Sequence, residues 1–253
     1  MFEPIEVHGK ALGVRIIRAR IRNSYARVKD GNIVISVPER FSDRKINEVA
    51  SSLYTRLAKA LQRKPGRYMG MSKLRFYDGQ KVPVLGNEFE ISIRSAPISR
   101  PRSRHRGSTI SIVLPEAMDR AEKDDYAAKI IRKKITKAIH PQLVSIVNGI
   151  NSRHFNSEIE GIRIRDNATL WGSCSRNNDI TLNFRLLYAP QRILEYVIVH
   201  ELAHTKVKRH SQRFWDLVGS IIPDHKERRR WLKNNAYEIK PAGLPAETIP
   251  LPS

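Results

Sequence analysis

The sequence predicts an α+β protein: a β-rich N-terminal half with one long helix, then a mostly helical C-terminal half around a small sheet. Three observations predict it. Tight-turn signals punctuate the first half, at Asp30-Gly31, Asp78-Gly79 and Gly86-Asn87. Apolar residues recur at helical spacing over 46–61 and again over 128–147. A third helical pattern, around residues 193–204, follows short segments of β type. A length of 253 residues fits one large domain or two small ones, taking about 100–200 residues per domain. With 40% hydrophobic and 28% charged residues, there is enough apolar material for a packed core and too much for wholesale disorder.

The first 37 residues read as strands. Within them Ile17–Arg22 alternates at period two, which sets Arg18, Arg20 and Arg22 on one strand face, a candidate anion-binding face. Asp30-Gly31 then joins Tyr25–Lys29 to Asn32–Val37 as a hairpin. Ser42 or Asp43 caps a helix reaching about Lys64, with Ile46, Val49, Ala50, Leu53, Leu57 and Leu61 as its apolar stripe and Pro65-Gly66 as its stop. Strands resume, with Phe89, Ile91 and Ile93 alternating with polar residues. The stretch 96–108 is rich in Pro, Ser and Arg and reads as a mobile loop presenting Arg100, Arg102, Arg104 and Arg106. Thr109–Leu114 is another strand.

A second long helix is expected from Asp124 or Asp125, with Ala128, Ile131, Ile135, Ile139, Leu143 and Val147 as its stripe. Lys129, Lys133 and Lys137 form its basic face, and Pro141 kinks or splits it. Ile162 and Ile164 mark a short strand, followed by Leu170–Cys174 and Asp179–Leu187. Pro190 suits the first turn of a helix. No repeat with a period of 20–50 residues is found. The expected division is a β-rich region over 1–120, a helical core over 121–240 and a Pro-rich tail over 241–253.

Composition excludes several classes. No apolar run approaches the ~18–20 residues a membrane helix needs, so no membrane association is expected. Cys174 is the lone cysteine, which excludes an internal disulfide and a multi-cysteine zinc site. It also fits a reducing compartment, and with no secretory or transit pattern at Met1–Glu6 the expectation is cytoplasmic. The net charge of +21 points to an anionic partner: a nucleic acid, a nucleotide or an acidic protein. That charge lies mainly in the N-terminal half, since residues 151–200 carry a net +1.

The chemistry is concentrated in Tyr196–His204, which contains His-Glu-x-x-His within a helical pattern. Residues four apart share a helix face, so His200 and His204 can aim two imidazoles at one metal ion. Glu201 sits beside that ion without ligating it, where it can take a proton from water activated there. A catalytic zinc site takes three protein ligands and leaves one position open. His210 is the preferred third ligand, six residues beyond His204, with Ser211 capping a following helix. Glu227 and His225 are the competitors. Tyr188, Tyr196 and His225 are candidates to stabilise the oxyanion.

The runs Trp171-Gly172-Ser173-Cys174-Ser175, Leu182-Asn183, Tyr196 to His204, His210-Ser211 and Phe214-Trp215 together resemble the YgjP-type metallopeptidase-like family. That family is related more loosely to the SprT-like and WLM zinc proteases. The N-terminal arginine-rich strand, Asp30-Gly31, Val37-Pro38, Asp78-Gly79 and Leu85-Gly86 resemble it too, so the likeness runs from about residue 14 to 235. The resemblance implies a zincin-like core with an active helix and a small sheet, one Zn²⁺ on His200, His204 and His210, and Glu201 as general base. The expected activity is a zinc-dependent peptidase acting on a peptide or protein. A nucleotide phosphohydrolase and a nucleic-acid-associated protease are the alternatives. Trp171, Gly172 and Asn183 are candidate substrate-binding residues, on a strand beside the active helix that can pair with an extended substrate.

Overall fold

Between Val84 and Asn87 the chain reverses in two residues, and both take positive φ, 48° at Leu85 and 80° at Gly86. That is the primed turn whose twist matches the flanking strands. Turns of this kind shape a computed structural model that describes residues 2–7, 10–29, 31–63, 74–167, 169–236 and 239–241. Asp30, the stop signal Pro65-Gly66 and the tail from 242 onward lie outside the described residues. The chain divides into two compact units, chiefly residues 1–72 and chiefly residues 73–232.

The first unit is a four-stranded sheet with one helix. Strands β1 (Ile5–Val7), β2 (Lys10–Ala19), β3 (Tyr25–Lys29) and β4 (Asn32–Pro38) lie in the order β1-β2-β4-β3. Only the β2–β4 pair is parallel. Helix α1 (Asp43–Arg63) buries Ile46, Ala50, Leu57 and Leu61 against Leu12, Ile33, Ile35 and Val37. Strand β2 stops at Ala19, so Arg20 and Arg22 lie beyond it and no strand face carries all three arginines. Arg18 is ion-paired with Asp43 and donates to the carbonyl of Phe41 at 3.3 Å. Arg20 lies 3.5 Å from the Glu39 carboxylate.

The second unit begins with the same pattern. Strands β5 (Lys81–Val84), β6 (Asn87–Ala96), β7 (Arg102–Arg106) and β8 (Thr109–Pro115) lie in the order β5-β6-β8-β7, again with one parallel pair. The registers repeat at a constant offset of 77 positions: Ala19 faces Pro38 as Ala96 faces Pro115, and Tyr25 faces Ser36 as Arg102 faces Val113. Helices α1 and α2 (Arg120–His154) start at the same offset, at Asp43 and Arg120. Within the arginine-rich stretch read as a loop, Arg102–Arg106 is therefore strand β7, in the place β3 holds in the first sheet, while Arg100 stays in the connection before it.

Helix α2 starts four to five residues earlier than its apolar stripe suggests. Asp119 accepts from the Glu122 amide at 2.8 Å while Glu122 accepts from the Asp119 amide at 3.2 Å, a reciprocal capping box. Pro141 does not divide it; one helix of 35 residues runs through. Its first half, Ala127 to Ile139, packs on Phe89, Ile91, Ile110 and Ile112, and its second half, Leu143 to Ile150, enters a different core. This is why the expected break near residue 120 falls inside the second unit: the sheet before it and the helix after it bury one apolar face. Three strands follow, β9 (Gly161–Arg165), β10 (Gly172–Cys174) and β11 (Asp179–Asn183), in the order β10-β11-β9, and a 3₁₀ turn covers Phe184–Tyr188. Helices α3 (Gln191–Lys206), α4 (Gln212–Ile221) and α5 (His225–Asn235) complete the unit. No helix among the described residues is long and apolar enough to cross a membrane.

Candidate metal centre

Helix α3 opens directly after Pro190 and lays Ile193, Leu194, Val197, Ile198 and Leu202 into a core with Ile180 and Leu182 of β11. That burial fixes its rotation, and His200 and His204 then share the remaining face. The helix ends at Val207 in extended geometry (φ −136°, ψ 103°), and the chain turns through 207–210 into α4. Ser211 occupies the cap position of α4 without a side-chain capping bond. The turn folds His210 back onto the two helical histidines. Its Nε2 lies 3.0 Å from Nε2 of His200 and 3.1 Å from Nε2 of His204. Among the described residues these three form the one group of His, Cys, Asp and Glu side chains arranged to hold a metal ion.

Charge and tautomer suit a cation at that point. Nδ1 of His204 lies 3.1 Å from the Val207 carbonyl, which accepts a proton only, so Nε2 carries the lone pair. Nδ1 of His200 is buried without a partner. Burial, then the neighbouring His204 and His210, push His200 down to about 3, and burial also pushes His204 down. Neutral imidazoles with lone pairs 3.0–3.1 Å apart repel unless a cation lies between them. A tetrahedral ion holding nitrogens at ~2.0–2.1 Å separates them by roughly 3.3 Å, close to what is seen.

An aromatic frame holds the rings. Phe214 stacks on His204 at 4.5 Å and meets His200 edge-on at 4.9 Å, while Trp215 stacks on His210 at 5.6 Å. Trp215 also stacks on His225 at 5.8 Å and carries the Arg229 guanidinium 4.9 Å from its centroid. In the sequence Phe214 and Trp215 stand only within the motif that carries the family resemblance, with no role of their own. Their spacing from His210, four and five residues on, was the available signal.

Glu201 is 5% exposed and has no hydrogen-bond partner among the described residues. Burial alone pushes its carboxyl up to about 8. Strand β10 lies against it: a Cβ built on Gly172 would meet Glu201 Oε1 at 2.6 Å. The Asn183 amide donates to the Trp171 carbonyl at 2.8 Å and the Ser175 amide to the Asp179 carbonyl at 2.9 Å. Trp171, Ser173 and Ser175 therefore pair with β11, and the main-chain groups of Gly172 and Cys174 point to the outer edge.

The remaining candidates separate clearly. Asn183 is buried, and its side-chain amide donates to the carbonyls of Asn167 at 2.7 Å and Leu170 at 2.6 Å, tying down the loop that enters β10. Trp171 packs against the core under α3. Cys174 stands outside the histidine cluster, 3.9 Å from Lys208 Nζ, and burial raises its thiol. Of the three oxyanion candidates, Tyr196 lies beside His200, with ring centroids 5.9 Å apart. Tyr188 is instead half-buried, with its hydroxyl enclosed near Arg132 and Arg185, and His225 has its Nδ1 3.2 Å from the Ile222 carbonyl. Glu227 is exposed in the first turn of α5, outside the cluster.

A His-Glu-x-x-His helix with a third histidine folded onto it, laid over a small sheet, is the architecture of a metal-dependent peptidase. The chain belongs to the YgjP-like metallopeptidase family, whose sequence model matches residues 22–235. A search of curated proteins gives no match. Among solved structures, the metallopeptidase zymogen of Pyrococcus abyssi abylysin is similar at 25% identity, over 37% of this chain and 96% of that one, with a TM-score of 0.34. Family membership implies a metal ion and a peptide or protein substrate.

Proposed function

We propose that the chain is a zinc-dependent peptidase in which His200, His204 and His210 hold one Zn²⁺ and Glu201 is the general base. The observation that carries this reading is the convergence of three imidazole Nε2 atoms beside a buried carboxyl that stays out of the cluster. When bound, zinc supplies Lewis acidity at the scissile carbonyl and to water. The chain's own residues supply the rest. The outward main-chain groups of Gly172 and Cys174 pair with an extended substrate as an added strand. The absence of a side chain at Gly172 lets that substrate approach Glu201. Glu201, ionised when a cation sits on the three histidines, would take a proton from water and return it to the leaving amine; its burial, which disfavours the charged carboxylate, helps it hold that proton between the two transfers. Tyr196, pushed up to about 12 chiefly by burial, keeps its proton and can donate to the developing oxyanion. Asn183 positions β10 rather than touching substrate.

The phosphohydrolase alternative gains nothing from Arg18 and Arg20, whose charges are spent on Asp43 and Glu39. The test is Glu201→Gln, assayed for casein hydrolysis and for zinc content. Abolished turnover with one zinc retained supports the proposal, and retained turnover refutes it.

A further inference from the structure

We infer that the outer face of the sheet β5–β8 is a docking surface for the phosphodiester backbone of a nucleic acid. Register places four arginines on it. Arg102 faces Val113 of β8, which faces Arg94 of β6; Arg104 and Arg106 follow at two-residue steps along β7. The opposite face of the same strands, Phe89, Ile91, Ile110 and Ile112, is buried on α2, so the arginine face points outward. Arg94, Arg102, Arg104 and Arg106 are all exposed, and none has an acidic partner among the described residues. Two acids lie close by: Glu90, two strands from Arg106 and opposite Lys81, and Asp78, whose carboxylate accepts from the Ile93 amide at 2.7 Å beside Arg94 without pairing with the guanidinium.

The arrangement fits phosphates better than other anions. Steps along β7 are ~6.8 Å, comparable with the repeat of an extended phosphodiester strand. Hydroxyls of Ser92, Ser111 and Thr109 are interleaved, and phosphate contacts are drawn from Arg, Lys, Ser and Thr. A membrane-binding face needs apolar anchors, yet the exposed large apolar residues, Ile16, Ile17, Tyr25 and Leu170, all lie elsewhere. A protein partner's interface centres on buried aromatic or aliphatic anchors, which are missing for the same reason. No aromatic platform stands on the face, so binding is to the backbone and independent of sequence. Arginines on edge strand β7 also discourage strand addition, but that role asks nothing of Arg94, two strands in. The first sheet does not repeat the feature: at the 77-residue offset its row Ile17–Ser36–Tyr25 stands where the second sheet has Arg94–Val113–Arg102, so the arginine face belongs to the second unit.

This inference does not rest on the peptidase reading. The test is fluorescence anisotropy of the full-length chain with a labelled duplex of random sequence, titrated across salt concentrations. Replacing Arg94, Arg102, Arg104 and Arg106 together by Gln removes up to four phosphate contacts. The slope of log affinity against log salt is expected to shrink by about 3–4, and affinity at low salt to fall about 10²-fold. The fourfold Arg→Lys variant keeps the charge and restores most of the slope. Because the positions are exposed, the far-ultraviolet spectrum and thermal midpoint should hold; the pair Arg102→Gln and Arg106→Gln, expected to shrink the slope by about 2, serves as a milder second variant. An unchanged slope in both variants overturns the inference. So does an equal loss of binding to polyglutamate or to phosphatidylserine vesicles, which assigns the face to acidic proteins or to membranes.

Discussion

Gly172→Ala tests the catalytic reading without touching a metal ligand. A Cβ at that position would stand 2.6 Å from Glu201 Oε1, 2.7 Å from Cγ and 2.9 Å from Cδ. Non-bonded carbon contacts sit at ~3.5–4.0 Å, so the Glu201 side chain must retreat by about 1 Å. Glu201 is 5% exposed and packed on the strand that would push it, so the retreat is paid for in displaced neighbours. Overpacking of this kind costs ~1–3 kcal/mol, and a 1 Å misplacement of a catalytic group costs ~10²-fold in rate. The expected result is a hundredfold loss of kcat/KM on a fluorogenic peptide, zinc content near one, and a modestly lower Tm. Gly149→Ala is the internal control: it sits in α2 with nothing within 4 Å of a new Cβ. It should raise stability by ~0.5–1 kcal/mol and leave turnover unchanged. In a Glu201→Ala background the clash disappears, so the stability cost of Gly172→Ala should fall to near zero. Wild-type turnover in Gly172→Ala, or a stability cost that persists without the Glu201 side chain, refutes the reasoning.

Three further outcomes follow from the same geometry. In the metal-free protein Glu201 is raised to about 8. Its protonated form thus stabilises the fold at pH below the unfolded carboxylate value, and that stability is lost as pH rises through about 8; chelator-treated Tm should fall across pH 5–8, by the equivalent of a few kcal/mol, and Glu201→Gln should flatten the slope. His210→Ala should lose stoichiometric zinc and the chelator-sensitive part of Tm, read by metal analysis and calorimetry; undiminished stoichiometry and affinity would move the third ligand elsewhere. Asn183→Ala removes donors to the Asn167 and Leu170 carbonyls and the acceptor for the Arg185 amide. It should cost ~2–4 kcal/mol and speed proteolysis within 167–171, while the histidines keep their zinc.

Local chemistry made much of this legible. His-Glu-x-x-His at helical spacing and the turn signal at Gly86-Asn87 depend on neighbours in sequence; the structure sets the first on α3 and the turn one residue earlier than read, at Leu85-Gly86. What escaped depends on distant partners. Strand β7 has the composition of a loop, because it is an edge whose outer face is solvated, and only pairing with Thr109–Val113 makes it a strand. The 77-residue recurrence of the sheet survives as topology and register, while identity remains at scattered positions such as Ile33/Ile110, Ile35/Ile112, Pro38/Pro115 and Glu39/Glu116. Those are inward-facing strand residues and the residues that close the strand, where packing and backbone leave little choice. The outward positions were free to diverge. Arg18, Arg20 and Arg22 show the converse: the alternation is real, but the strand ends at Ala19.

The metal centre and the arginine face belong to one unit yet are built on opposite ends of its longest helix. The first half of α2 carries the β5–β8 sheet, and the second half packs with α3 and the histidine-bearing turn. The two packing stretches of that helix are centred near residues 133 and 147, ~20 Å apart at 1.5 Å per residue, and the arginines stand on the far face of the sheet, which puts their charges beyond a Debye length, ~8–10 Å, from Glu201. The two sets of substitutions should therefore be additive. The fourfold Arg→Gln variant should cleave a short neutral peptide at the wild-type kcat/KM. Glu201→Gln should bind the duplex with the wild-type salt slope. A fall in short-peptide turnover when the arginines are removed would mean that the sheet face acts on the centre itself rather than on what is brought to it.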